Sequence, residues 1–126
     1  MLLQKRAAGK YHFAGLWSNA CCSHPRPEEA TVDAARRRLR EELGIETELR
    51  EALSFTYHAF DHQSGLHERE FVHVLAGKYD GEIRPDWNEV SEFRWVDDRQ
   101  LKRETSNTPD RFTPWFLKAV SLLAEA

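Results

Sequence analysis

Sulfur is scarce in this chain, and no long apolar run occurs. The 126 residues contain one methionine and two cysteines, and those cysteines, Cys21 and Cys22, are neighbours. Adjacent cysteines make a poor disulfide, so no covalent framework of the secreted kind is expected, and reduced thiols suit a cytoplasmic setting. The apolar stretches fall far short of the roughly 20 residues needed to cross a bilayer, and no signal-peptide pattern opens the sequence. Neither sign of charge dominates: 18 basic and 21 acidic side chains leave a net −3, which gives no reason to expect nucleic acid or an anionic membrane as partner. With six glycines and five prolines there is no linker, repeat or low-complexity tract. The expectation is one soluble, cytoplasmic domain over residues 1–126, burying roughly 65–70% of the surface its unfolded form exposes.

Several elements are legible. Met1–Arg6 reads as a strand, and Gly15–Ser23 as a strand-like piece closed by Pro25 and Pro27. Val32, Ala35, Leu39 and Leu43 recur at helical spacing, which predicts a helix over about 28–43 with Gly44 as its stop. Phe55–Phe60 and His67–Tyr79 predict two strands with a turn around Gly65 between them. On the second, Glu68, Glu70, Val72 and Val74 share one face, and Phe71, His73 and Leu75 the other. Asp80-Gly81 marks a turn, Ser91–Val96 a strand and Pro114–Ala124 a closing helix. Mixed strands with few helices predict an α+β or layered α/β domain.

Chemistry concentrates in Ser18-Asn19-Ala20-Cys21-Cys22-Ser23-His24-Pro25, where a thiol stands two residues from an imidazole. The helix that follows carries Arg37, Arg38 and Glu42. From Ser23 there are five residues to Glu29, then seven to Arg37-Arg38-Leu39-Arg40-Glu41-Glu42-Leu43-Gly44-Ile45. This spacing resembles the Nudix box, G-x5-E-x7-R-E-U-x-E-E-x-G-U with U a bulky apolar residue. Serine replaces its leading glycine, and Arg38 replaces the glutamate of its R-E pair. Carboxylates one turn apart can share Mg²⁺ with phosphate oxygens, so a guanidinium there removes a metal ligand and adds a clamp for a diphosphate. Such a site should hold a diphosphate rather than hydrolyse it. An isolated charge run would read as a solvated helix face; the box spacing argues against that here.

Nearly the whole chain resembles the type 1 isopentenyl-diphosphate Δ-isomerases, a Nudix branch with these departures. The motifs that carry the resemblance are Trp17-Ser18-Asn19-Ala20-Cys21-Cys22-Ser23-His24-Pro25, Arg38-Leu39-Arg40-Glu41-Glu42-Leu43-Gly44, Glu68-Arg69-Glu70 and Thr113-Pro114-Trp115. The resemblance implies a Nudix fold of α+β class, with a mixed sheet sandwiched between helices and the first strand or strands missing. It implies isomerisation of isopentenyl diphosphate to dimethylallyl diphosphate in isoprenoid biosynthesis. Cys22 and Glu70 match the acid–base pair, Tyr57 a catalytic-site tyrosine and Trp115 an indole over the hydrocarbon tail. Arg6, Lys10, Ser23, Arg37 and Arg38 match diphosphate-side positions. His24, Glu68 and Glu70 match ligands of a divalent metal, Mn²⁺ or Zn²⁺, and Glu42 matches a carboxylate that holds Mg²⁺ with the substrate.

The resemblance has a gap: two histidine ligands of the family's metal lie upstream of the segment with which this sequence starts. None of His12, His58, His62, His67 and His73 takes an equivalent position. The expectation is an N-terminally truncated isomerase, a monomer with a dimer as the alternative, whose sheet edge is left unpaired. The other readings are a short natural variant, a Nudix hydrolase of a nucleoside or prenyl diphosphate, and a non-catalytic diphosphate-binding module.

Overall fold

The computed structural model describes residues 1–10 and 13–125, with the backbone alone for Glu68 and Glu125. The chain runs β1 (Leu2–Arg6), β2 (Trp17–Asn19), α1 (Thr31–Leu43), β3 (Arg50–Asp61), β4 (Leu66–Ala76), β5 (Val90–Trp95), α2 (Asp98–Asn107), a 3₁₀ turn (Pro109–Arg111) and α3 (Pro114–Glu125). The α+β class is as expected. The sheet comes in two parts, a three-stranded one ordered β2-β1-β5 and the two-stranded β3-β4 hairpin. The strand pairs are antiparallel, and an isolated parallel bridge joins Trp17 to Phe112.

Alternation along β1 produces the layering. Leu3 is fully buried with Phe112, Trp115 and Phe116 on one face, while Leu2 packs with Leu39, Leu43 and Val90 on the other. Successive strand residues point to opposite faces, so β1 carries α3 on one side and α1 on the other. This is the sandwich of sheet between helices that the sequence predicted.

Helix α1 begins later than its apolar spacing suggests. Glu28 adopts φ +66°, outside helical space, and Ala30 provides no side-chain cap. Its end is firmly specified. Gly44 has φ +66°, and a Cβ there would lie 2.8 Å from Cβ of Arg84, so glycine is required by conformation and by space. Arg84 and Asp86 then donate their backbone N–H groups to the carbonyls of Leu43 and Glu42, both at 2.8 Å. These bonds fasten the segment before β5 onto the helix end.

Other expected elements shift in extent. The Gly15–Ser23 piece keeps only three residues of strand, because its later part forms the site loop. The first hairpin strand lengthens to Arg50–Asp61, whereas the second, Leu66–Ala76, ends short of the expected Tyr79. At the turn, buried Asp61 accepts from the N–H of Phe13 at 3.0 Å, the N–H of Gln63 at 3.1 Å and the hydroxyl of Ser64 at 2.7 Å. Helix α2 was not read from the sequence: only Leu101 of its ten residues is buried, so it lacks an apolar stripe.

Candidate active site

A cleft of about 1450 Å³ opens between the two sheets. Of the residues singled out in the sequence, Arg6, Lys10, Cys22, Ser23, His24, Arg37, Arg38, Glu42, Tyr57, Glu70 and Trp115 all line it. The side chain of Glu68 lies outside the described residues; its backbone pairs with Ala59, two ladder positions beyond the Tyr57–Glu70 pair.

The hairpin supplies the first wall. Tyr57 stands directly opposite Glu70 in the β3–β4 ladder, so both side chains leave the same face. Tyr57 is buried, Glu70 half-buried, and Phe71 projects from the opposite face, 61% exposed. The Tyr57 ring lies 6.1 Å from that of Trp115, against whose other neighbour, Phe13, the indole packs edge-on at 5.5 Å. Trp115 is therefore both a core residue and a cleft residue.

The Ser18–Cys22 run supplies the second wall. Asn19 Oδ1 accepts from the Trp115 indole N–H at 3.2 Å, from the Ser18 hydroxyl at 2.7 Å and from the Cys22 thiol at 3.6 Å. Ser18 Oγ is also 2.8 Å from Thr113 Oγ1, and Thr113 donates its N–H to the Trp17 carbonyl at 2.9 Å. These bonds join the start of α3 to β2 and explain why the Thr113-Pro114-Trp115 motif accompanies Ser18-Asn19. Both cysteines are free thiols. Burial pushes the Cys22 thiol up, with the Arg6 guanidinium pulling it partly back. Burial, reinforced by the Glu42 carboxylate, pushes Cys21 up further. Arg6 itself is buried, its guanidinium 5.4 Å from the centre of the Trp115 ring. It stands beside the thiol and the indole.

Helix α1 supplies the third wall, and it is charged. Glu42 is 3% exposed; its Oε2 accepts from Arg38 at 2.7 Å and its Oε1 from Gln4 at 3.1 Å. Arg37 clamps Glu29 with two bonds of 3.0 Å and reaches Glu41 at 3.0 Å. The Arg37 guanidinium, through those hydrogen bonds, holds the Glu29 carboxyl at about 2. Glu89, between the Asp86–Glu89 turn and β5, pairs with Lys10 and lies 3.7 Å from Arg38.

Asn19, Gln4 and Glu89 are site residues that sequence reasoning did not single out. Asn19 stood within a quoted motif, but nothing in its type marks an acceptor for a thiol. Gln4 and Glu89 reach the site only through the register of β1 and β5, which no local pattern announces. Among the described residues, no three His, Cys, Asp or Glu groups gather around a point that could hold a metal ion. His24 lines the cleft and is exposed, and buried Glu42, which also lines it, is engaged by Arg38.

Comparison with known proteins places this geometry. A model of the NUDIX domain matches residues 1–116. The isopentenyl-diphosphate Delta-isomerase of Halorhodospira halophila is 47% identical over 121 residues, covering 95% of this chain and 69% of that protein. Isopentenyl-diphosphate Delta-isomerase 2 of Aromatoleum aromaticum is 50% identical over 117 residues, 91% of this chain and 60% of that protein. The isopentenyl-diphosphate Delta-isomerase of Burkholderia multivorans is 49% identical over 116 residues, 92% of this chain and 65% of that protein. The chain thus spans 60–69% of the length of these relatives.

Proposed function

The chain belongs to the Nudix family, in its isopentenyl-diphosphate isomerase branch, and from that premise we propose that it converts isopentenyl diphosphate to dimethylallyl diphosphate. One observation carries the reading: a thiol, a carboxylate opposite a tyrosine in the β-ladder, an indole and several cations line a single cleft.

The reaction adds a proton to the terminal methylene carbon of an unactivated alkene and removes one from the methylene adjacent to the resulting cationic carbon, one carbon removed from the CH2 that bears the diphosphate. Nothing is oxidised or reduced. The intermediate is a tertiary carbocation, so the enzyme needs an acid and a base on opposite sides of the substrate, each contributing roughly 10²–10⁴-fold. Cys22 lies on the loop wall and Glu70 on the hairpin wall of the cleft that Trp115 also lines. Burial keeps Cys22 as a thiol, which equips it to give a proton. Glu70, opposite Tyr57, is then the group that takes one. The indole face stabilises the cation by about 2 kcal/mol once water is excluded.

Arg38, Lys10 and Ser23 bind the diphosphate at the helix wall, exchanging carboxylate partners for phosphate oxygens. Arg37 flanks them, its guanidinium held by Glu29 and Glu41. Remote binding of this kind spends affinity on orienting the hydrocarbon end.

The donor chemistry fits divalent cations. Glu42 suits Mg²⁺ alongside the diphosphate, whereas His24, Glu68 and Glu70 suit Mn²⁺ or Zn²⁺. Such an ion supplies positive charge that fixes the protonation state of a bound carboxylate. The protein is proposed to act in the cytoplasm as a monomer on a small prenyl diphosphate. Among the described residues no helix is long and apolar enough to cross a membrane.

The test is incubation with isopentenyl diphosphate, Mg²⁺ and Mn²⁺ or Zn²⁺ in heavy water. Deuterium should enter dimethylallyl diphosphate. Release of phosphate without exchange would replace the isomerase reading with a hydrolase.

A further inference from the structure

Asn19 carries more of this site than its neighbours in sequence suggest. Its side-chain orientation is fixed by chemistry: an indole N–H is a donor only, so the atom facing Trp115 Nε1 at 3.2 Å must be the amide oxygen. The amide nitrogen then points the other way and donates to the Cys21 carbonyl at 2.6 Å, within the loop that bears Cys22. The same oxygen receives the Ser18 hydroxyl at 2.7 Å. Ser18 has one proton and spends it there, so Thr113 is the donor in the 2.8 Å contact between the two hydroxyls. Ser18 and Thr113 are 2% and 0% exposed, which leaves this chain of bonds no exchange with water. At its end the Cys22 sulfur lies 3.6 Å from the oxygen.

We propose that Asn19 is a positioning residue: one amide oxygen, locked by Ser18 and Thr113, fixes the Cys22 thiol and the Trp115 indole relative to each other on one wall of the cleft. The thiol proton rests on that oxygen, and rotation about the Cβ–Sγ bond turns it into the cleft while the sulfur stays in place. The indole cannot swing away, because its N–H is held at the same atom. Preorganisation of this kind matters because displacements of about 1 Å can cost roughly 10²-fold in rate. What the thiol and indole do rests on the isomerase reading; where they are held does not.

The test uses Asn19→Ala and Asn19→Asp, each in the chain as it stands, and follows both turnover and hydrogen exchange at the Trp115 indole N–H. Asn19→Ala is expected to lower kcat for isopentenyl diphosphate at least about tenfold with KM within about threefold, since the diphosphate clamp lies on another wall. Asn19→Asp retains an accepting oxygen and should recover part of that kcat. The Trp115 indole N–H, still held by that oxygen, should keep a hydrogen-exchange rate within about threefold of the parent's, whereas in Asn19→Ala it should exchange at least about tenfold faster. Equal loss in both variants, or a kcat unchanged by Asn19→Ala, overturns the proposal. A parent chain that turns over no isopentenyl diphosphate counts against the isomerase reading alone. Indole exchange then decides: faster exchange in Asn19→Ala that Asn19→Asp restores supports the role of Asn19, and exchange unchanged in Asn19→Ala refutes it.

Discussion

Arg38 donates to Glu42 at 2.7 Å from one turn away on α1, at the helix position where the Nudix box has a second carboxylate. Two carboxylates there would repel until a cation joined them. A guanidinium and a carboxylate attract, so the pair holds itself together without metal. Glu42 is 3% exposed and takes a second bond from Gln4, which leaves its charge compensated on both oxygens.

Replacing Arg38 therefore acts twice. Arg38→Met removes the cation proposed for the diphosphate and leaves Glu42 with only the neutral Gln4 amide and Cys21 thiol. The KM for isopentenyl diphosphate should rise by about one to two orders of magnitude. Denaturant unfolding should register a loss of about 2 kcal/mol. Arg38→Lys keeps the charge but not the two-pronged geometry, and should restore stability more fully than KM. Identical behaviour of the two variants would deny a separate role in diphosphate binding.

Acid stability should depend on Glu29. Its folded-state value of about 2 lies below the ordinary 4.5, chiefly through the Arg37 hydrogen bonds. A depressed carboxyl stabilises the fold above its unfolded value, and that contribution is lost as pH falls from 4.5 towards 2. Asp61 is lowered in the same sense by the backbone N–H of Phe13 and the Ser64 hydroxyl. Glu29→Gln should flatten the fall of the melting temperature over that window, and its curve should converge on the parent's at the acid end. Parallel curves would show that the pair contributes nothing to pH dependence.

The parts of this fold that were legible in the sequence are those written in local pattern. Helix α1 announces itself by Leu39 and Leu43 and ends at a glycine that its φ requires. The Glu68-to-Val74 alternation puts the two glutamate positions on the same strand face as Val72 and Val74, and those valines do pack against the core. Helix α2 was missed because a single buried leucine gives no period. The division into two sheets was missed for a different reason: strand order is a property of long-range pairing, and β1 pairs with β5 across almost ninety residues. Gln4 and Glu89 became site residues through that same pairing. The box and the thiol motif pointed to the cleft; they did not show that Asn19 ties the Cys22 thiol to the Trp115 indole.

Burial makes a prediction for Cys22 that a reactive surface thiol would not share. Its raised value keeps the thiolate scarce at neutral pH, so iodoacetamide should modify it slowly at pH 7, and faster only above its ordinary range near 9. Pyrophosphate with Mg²⁺ should protect it incompletely, since the diphosphate is proposed to bind at the helix wall. Cys22→Ser should reduce turnover by about 10²–10⁴-fold while leaving pyrophosphate binding within about twofold. Fast modification at pH 7 would place the sulfur in solvent and remove the argument for a stored proton.

Glu89 gives the last prediction, because it neutralises the cations that the substrate needs. It pairs with Lys10, approaches Arg38 at 3.7 Å, and is held by the turn in which its N–H reaches the Asp86 carbonyl at 2.9 Å. In the free enzyme such a carboxylate keeps two cations from repelling one another; on binding, it competes with the diphosphate for them. Glu89→Gln removes both effects. Inorganic pyrophosphate should bind several-fold tighter at low salt, with the gain shrinking as ionic strength rises and shortens the screening length from roughly 30 Å at 0.01 M to about 8 Å. The melting temperature should fall by a few degrees as Lys10 and Arg38 lose their counter-charge. Weaker pyrophosphate binding would mean that Glu89 aligns the cations more than it competes for them, and calorimetric titration at two salt concentrations distinguishes these outcomes.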